Sequence, residues 1–127
     1  MQDFRRLKVW EKAHQLNLRI AKILDLFPRS ELFCLTFQMR KSACSIPTNI
    51  AEGCGRGSDP DFARFLQIAM GSACELEYQL IFAHDRKYLT RELHAELEPE
   101  LIEVKRMLAS LLARLRRVSR DRTLNPT

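Results

Sequence analysis

Residues 97–118 read LEPELIEVKRMLASLLARLRRV. Within them Leu97, Leu101, Val104, Leu108, Leu111, Leu115 and Val118 recur at alternating steps of four and three. That is the period of a helix burying one face, and a strand's alternation is absent. Thr90 stands ahead of the pattern as an N-cap. Glu92, Glu96, Glu98 and Glu100 fall early and the arginines late, the order a helix macrodipole favours. Pro99 withdraws a donor from the ladder and is expected to set the first turns off as a separate piece.

The same period extends back through the chain. Phe62, Leu66, Ala69, Ala73, Leu76, Leu80 and Ala83 form a stripe that continues to about residue 87. It is opened by Ser58-Asp59-Pro60-Asp61, a hydroxyl cap with an acidic first turn and a proline at the helix start. Before it, Gly53-Cys54-Gly55-Arg56-Gly57 breaks the chain. An earlier segment, residues 31–51, carries Leu35, Met39, Ala43, Ile46 and Ile50, with Ser30 as its expected N-cap. Pro47 lies inside that pattern, so a kink is expected over 43–47. The first segment, 5–27, shows Val9, Ala13, Leu16, Ile20, Ile23 and Phe27, widened by Trp10 and Leu24 and stopped by Pro28. Four amphipathic helices on short loops predict an all-α, antiparallel up-down-up-down four-helix bundle. The bundle is expected to fill residues 1–118 as one domain, with 119–127 as a flexible basic tail.

A chain of 127 residues, 46% of them hydrophobic, can bury a core without disulfide or metal staples. The charged amino-terminal stretch is unlike a signal peptide. The longest uncharged runs, 42–51 and 65–74, are too short to cross a bilayer, so the expectation is a cytoplasmic protein with no membrane partner. Cys34, Cys44, Cys54 and Cys74 include no Cys-x-x-Cys pair, and His14, His84 and His94 are scattered. Glu11 and His14 give a single Glu-x-x-His, where a di-metal bundle wants two. The spacing argues for no metal and no cofactor, and for cysteines acting as small buried fillers.

Charge is unevenly placed. Residues 114–127 hold Arg114, Arg116, Arg117, Arg120 and Arg122 against Asp121 alone, while the other 113 residues carry 16 basic and 15 acidic side chains. The cluster reads either as a solvated helix end or as a patch for nucleic-acid phosphates. Arg56, in the glycine-rich turn, is a further candidate for a phosphate, although Gly53-x-Gly55-x-Gly57 follows no strand and precedes no Gly-Lys-Ser/Thr. Arg40, Ser45, Asn49, Glu52, Ser72 and Glu75 flank the stripes of the middle segments. They are expected to form a structural polar seam, with Arg40 pairing Glu75 or Glu52, and Gly71 is expected to mark a close helix approach. No nucleophile–base pair accompanies these carboxylates, so the chain is not read as an enzyme. Phe4, Trp10, Phe33, Phe37 and Tyr78 exceed what one small bundle hides, which motivates self-association.

Two stretches carry a family resemblance. Leu35-Thr36-x-Gln38-x-Arg40-Lys41 leads into Ser45-Ile46-Pro47-x-Asn49-Ile50-Ala51-Glu52-Gly53 and then Arg56. Phe65-Leu66-x-Ile68-Ala69-x-Gly71-Ser72-x-x-Glu75-Leu76-Glu77 follows. Together with Leu7-x-Val9-Trp10-x-Lys12-Ala13 and Phe27-Pro28-x-x-Glu31, they resemble the 23S rRNA intervening-sequence protein family. The resemblance implies a small bacterial four-helix bundle assembling as a homopentamer. Some relatives assist a reverse transcriptase by binding nucleic acid, which makes such an enzyme a candidate protein partner. The carboxyl helix matches only as a heptad pattern, so its arginines are not carried over. The functional expectation is a non-enzymatic oligomeric scaffold with electrostatic capacity for RNA or DNA. Its rivals are a protein-interaction adaptor and an enzyme built on the polar seam.

Overall fold

The structure, a computed structural model, describes the backbone of residues 3–124 and the side chains of residues 3–121. Among the described residues it contains four α-helices, α1 (Lys8–Leu24), α2 (Leu35–Cys54), α3 (Asp59–Asp85) and α4 (Arg91–Leu124), besides short 3-10 turns at Phe4–Arg6 and Arg29–Glu31. Each helix packs on its neighbour in sequence and α1 closes against α4, which makes an all-helical four-helix bundle. Two cross-links along the α3–α4 pair fix its antiparallel sense. Lys105 Nζ donates to Glu77 Oε1 at 2.6 Å, and Arg116 Nη2 donates to Gln67 Oε1 at 3.1 Å. One core runs the length of the bundle, from Val9 and Leu111 at one end to Phe27 and Leu89 at the other.

The helix ends differ from the sequence expectation in instructive ways. α1 stops at Leu24, because a residue before proline is pushed out of the α region and the preceding turn loosens. Phe27 is nonetheless buried, carried inward by turns in which Leu26 and Phe27 donate to Ile23 and Leu24. Ser30 is not the cap of α2. It lies in a 3-10 turn, Arg29–Glu31, and Glu31 Oε2 instead accepts from the Leu35 amide at 3.4 Å. α2 continues through Pro47, whose ring is buried. Ser58 caps α3 as expected, accepting from the Asp61 amide. At its far end Tyr88 N donates to Ala83 O and Lys87 N to His84 O, with Lys87 left-handed at φ 65°. This is a Schellman ending with lysine where glycine is usual.

Thr90 Oγ1 accepts from the Leu93 amide and opens α4. Pro99 does not divide that helix. Pro99 and Ala95, whose carbonyl loses its usual donor, are both exposed, so water can satisfy the orphaned group. With 34 residues α4 is about 51 Å long, twice the length of 17-residue α1. Its stripe therefore outruns the bundle. Leu97 to Leu111 are buried, Leu115 is half-buried and Val118 is exposed. The backbone is helical to Leu124, past the expected domain boundary at 118; residues 125–127 lie outside those described.

The close helix approach is at Gly53, not Gly71. A Cβ on Gly53 would stand 2.9 Å from Phe62 Cδ1 and 2.9 Å from Phe65 Cβ, whereas nothing lies within 4 Å of one on Gly71. The cysteines also depart from expectation. Only Cys54 is buried; Cys44 and Cys74 lie on outward faces of α2 and α3, and Cys34 is exposed in the turn just before α2. Burial raises the Cys54 thiol pKa above its ordinary value.

Candidate nucleic-acid interface

Up-down-up-down connectivity gathers three separate pieces of chain at one end of the bundle. These are the start of α1, the turn between α2 and α3, and the end of α4. Arg114, Arg116, Arg117 and Arg120 are all exposed on the projecting turns of α4. Arg116 reaches α3 through Gln67, a neutral partner that leaves its charge uncompensated by that bond. The side chain of Arg122 lies outside the described residues.

Two adjoining grooves run beside these arginines, of about 450 and 520 Å3. They share Ser110 and Arg117. Between them they are lined by Lys8, Arg106, Arg114, Arg116, Arg117 and Arg120, and by no carboxylate among the described residues. Guanidinium groups stay charged at any working pH, so the field here is fixed and positive. Lys8 and Arg106 were not legible as site residues. Lys8 is about a hundred positions from the arginine run, and antiparallel packing of α1 on α4 is what joins them.

Arg56 sits at the same end but is held locally. Its Nη2 lies 3.2 Å from Glu52 Oε1, and its guanidinium rests 4.8 Å from the centre of the Phe65 ring. Arg64 approaches the same ring at 4.5 Å and pairs with Asp61 at 3.7 Å. Two cations on one aromatic ring stiffen the α2–α3 turn. Phe65 was missing from the expected stripe because it stands one position off the 4-3 pattern.

The expected polar seam is smaller than its six members. Ser72 Oγ donates to Ser45 Oγ at 2.8 Å, and Asn49 Nδ2 donates to Ser45 Oγ at 2.9 Å and to the Ser45 carbonyl at 2.8 Å. These three residues tie α2 to α3 two positions from Pro47. The other three do not join them. Arg40 pairs with Asp25 at 3.8 Å rather than with Glu75 or Glu52, Glu52 bonds Arg56, and Glu75 accepts from Gln79. Arg40, Glu52 and Glu75 are exposed, because α2 and α3 turn them outward past the contact line. A hydroxyl–amide cluster of this kind pins two helices and offers no activated nucleophile. On the α3–α4 side, the Glu77 carboxylate beside Lys105 holds the lysine pKa above its ordinary value.

Phe4 and Trp10 are half-buried and meet edge to face at 5.0 Å, with Trp10 stacked on His14. By contrast Phe33, Phe37 and Tyr78 are 88%, 53% and 64% exposed. Phe82, also exposed, lies 6.4 Å from Tyr78 between ring centres. No group of three or more His, Cys, Asp or Glu among the described residues is placed to hold a metal ion. None of the helices is long and apolar enough to cross a membrane.

With this geometry in place, comparison with known proteins is informative. The description of the 23S rRNA-intervening sequence protein family matches residues 5–110. The chain belongs to that family. A solved structure from Bacteroides thetaiotaomicron VPI-5482, a protein of unknown function from the S23 ribosomal protein family, is similar at 28% identity and a TM-score of 0.77. The similarity covers 83% of this chain and 95% of that one. No curated protein matches. The family match ends at residue 110, so Arg114, Arg116, Arg117 and Arg120 lie beyond it, as the motif comparison implied.

Proposed function

We propose that this family member is a non-enzymatic, self-associating scaffold that holds nucleic-acid phosphates on the basic end of its bundle. The observation that carries the reading is the pair of adjoining grooves lined, among the described residues, by six cations and no carboxylate. A solvated helix terminus explains arginines along one helix. It does not explain why Lys8, from the other end of the sequence, joins them across a groove. The family description refers to 23S rRNA, which makes RNA the first polyanion to test. The setting of the reading is the bacterial cytoplasm. The exposed aromatics Phe33, Phe37 and Tyr78 support self-association, with the pentamer implied by the resemblance as the expected form.

The test replaces Arg114, Arg116, Arg117 and Arg120 by Gln, which keeps length and helix propensity. RNA affinity is measured against salt for both proteins. Each phosphate contact contributes about −0.7 to the logarithmic slope for single strands, so losing four flattens it by about 3. Absence of wild-type binding at low salt refutes the nucleic-acid reading. The protein-adaptor reading then takes its place, favoured by the same exposed aromatics. Light scattering checks assembly, and a single monomer mass near the 14.8 kDa of one chain refutes self-association.

A further inference from the structure

The groove between α1 and α4 differs from an ordinary basic patch in having an apolar floor. Leu7, Val9, Met107 and Leu111 form its base, and Lys8, Arg106, Arg114 and Arg117 stand around it. Val9 and Leu111 are buried core residues, so the floor is rigid. Leu7 and Met107 are half-buried and complete it toward solvent. Of the four cations, Arg106 is tied to Glu103 at 3.2 Å, while no carboxylate among the described residues lines the groove itself. The first turn of α1 borders the same space, and its N-cap, Leu7, supplies no side-chain acceptor for the free amides.

Charge alone attracts any polyanion. An apolar floor between the charges adds something a double helix cannot use. In an RNA duplex the base faces are stacked inside, and a protein groove meets phosphates, 2′-hydroxyls and base edges but no open ring face. A single strand can turn a base onto Leu7 and Met107 while neighbouring phosphates meet Lys8, Arg114 and Arg117. Met107 suits the task, because its thioether makes favourable contact with aromatic rings and its side chain adapts to different bases. A volume of about 450 Å3 falls in the lower part of the ~300–1,000 Å3 range of small-molecule pockets, which suits one nucleotide unit rather than a folded domain.

We infer that this groove is a binding site for unpaired nucleic acid, with one base on the Leu7–Met107 floor and the flanking phosphates on Lys8, Arg114 and Arg117. The inference rests on the nucleic-acid reading above and adds strand selectivity to it. The second groove, with Arg116 and Arg120 beyond Arg117, continues the phosphate track along the projecting end of α4. The hydroxyl of Ser110, common to both, sits where a strand passes from one to the other.

The experiment compares a labelled short oligouridine with an RNA duplex of the same length by fluorescence anisotropy. It uses the full chain, then Lys8→Gln and Met107→Gln, each checked for an unchanged circular-dichroism spectrum. Wild type is expected to prefer the single strand. Lys8→Gln removes one phosphate contact, about fivefold at roughly 0.1 M salt from a slope of about −0.7 per contact, and Met107→Gln erases the preference while leaving duplex binding in place. A strand carrying 4-thiouridine is also photo-crosslinked to the unaltered protein, and crosslinks are expected at residues 7–8 and 106–117. Equal wild-type affinity for strand and duplex, equal losses for both with Met107→Gln, or crosslinks confined to other helices overturns the selectivity while leaving the electrostatic reading intact. If neither nucleic acid binds at low salt, both readings fall together.

Discussion

Replacing Gly53 by alanine tests the tightest contact in the bundle. The new methyl meets Phe62 Cδ1 and Phe65 Cβ at 2.9 Å and the Phe62 carbonyl oxygen at 3.3 Å. A ring can swing aside, but Phe65 Cβ and the Phe62 carbonyl move only if the amino-terminal turns of α3 move. Phe65 is further clamped between Arg56 and Arg64. Overpacking costs about 1–3 kcal/mol, and the rigid neighbours place this site at the upper end. Removing a helical glycine returns at most about 1 kcal/mol, which leaves a net loss of about 2 kcal/mol. Unfolding entropy of about 2.1 cal/mol/K per residue over 127 residues converts that loss to a melting point lower by about 7 °C. The control is Gly71→Ala, where the methyl enters open space and only the propensity gain remains, a rise of about 4 °C. Both are read by thermal denaturation followed by circular dichroism. A Gly53→Ala protein melting at or above wild type refutes the reasoning.

Three further outcomes are expected. Lys87→Gly should stabilise by about 1 kcal/mol, since lysine bears the left-handed conformation at φ 65° that glycine adopts freely; an unchanged urea midpoint contradicts this. Asn49→Ala removes both hydrogen bonds to Ser45 and should lower stability by about 1 kcal/mol with assembly intact; an unchanged melt contradicts the structural role. Glu77→Gln weakens the 2.6 Å bridge to Lys105 and should cost about 1 kcal/mol at neutral pH. The lysine pKa is raised in the folded state, so the bridge's contribution is full below the ordinary lysine value and is lost as pH rises through the folded one. From neutral pH upward the gap between the two proteins should therefore close only in the strongly alkaline range, and closure between neutral pH and that range overturns the assignment.

Most of the fold was written in the sequence because helical periodicity is a local signal. The stripes of α3 and α4, the Ser58 and Thr90 caps and the glycine-rich turn each depend on residues a few positions apart. The family motif is equally local and runs through the same helices. Legibility ended where a feature depended on what lay opposite. Gly53 and Gly71 are both glycines beside stripe positions, and only the approach of Phe62 and Phe65 distinguishes them. Arg40, Glu52 and Glu75 satisfy the same spacing rules as Ser45, Asn49 and Ser72. The helices' rotation about their own axes turns the first three outward and the other three into contact, and no periodicity fixes that angle to within one residue. The cysteines at 44 and 74 were misplaced for the same reason, and Cys34 because it lies in the turn ahead of α2.

The basic end divides along the same line. Sequence by itself determined that Arg114, Arg116 and Arg117 share the last turns of a long helix, because adjacency along one chain is enough; it placed Arg120 in a tail, and the structure carries the helix on through it. Only the tertiary structure decided that Lys8 stands across a groove from them, that Leu7 and Met107 floor it, and that no carboxylate among the described residues lines it. A stripe says which face of a helix is apolar. Which distant helix that face meets, and at what height, is set by the packing of whole helices, and there the α1–α4 groove acquired its charge and its shape.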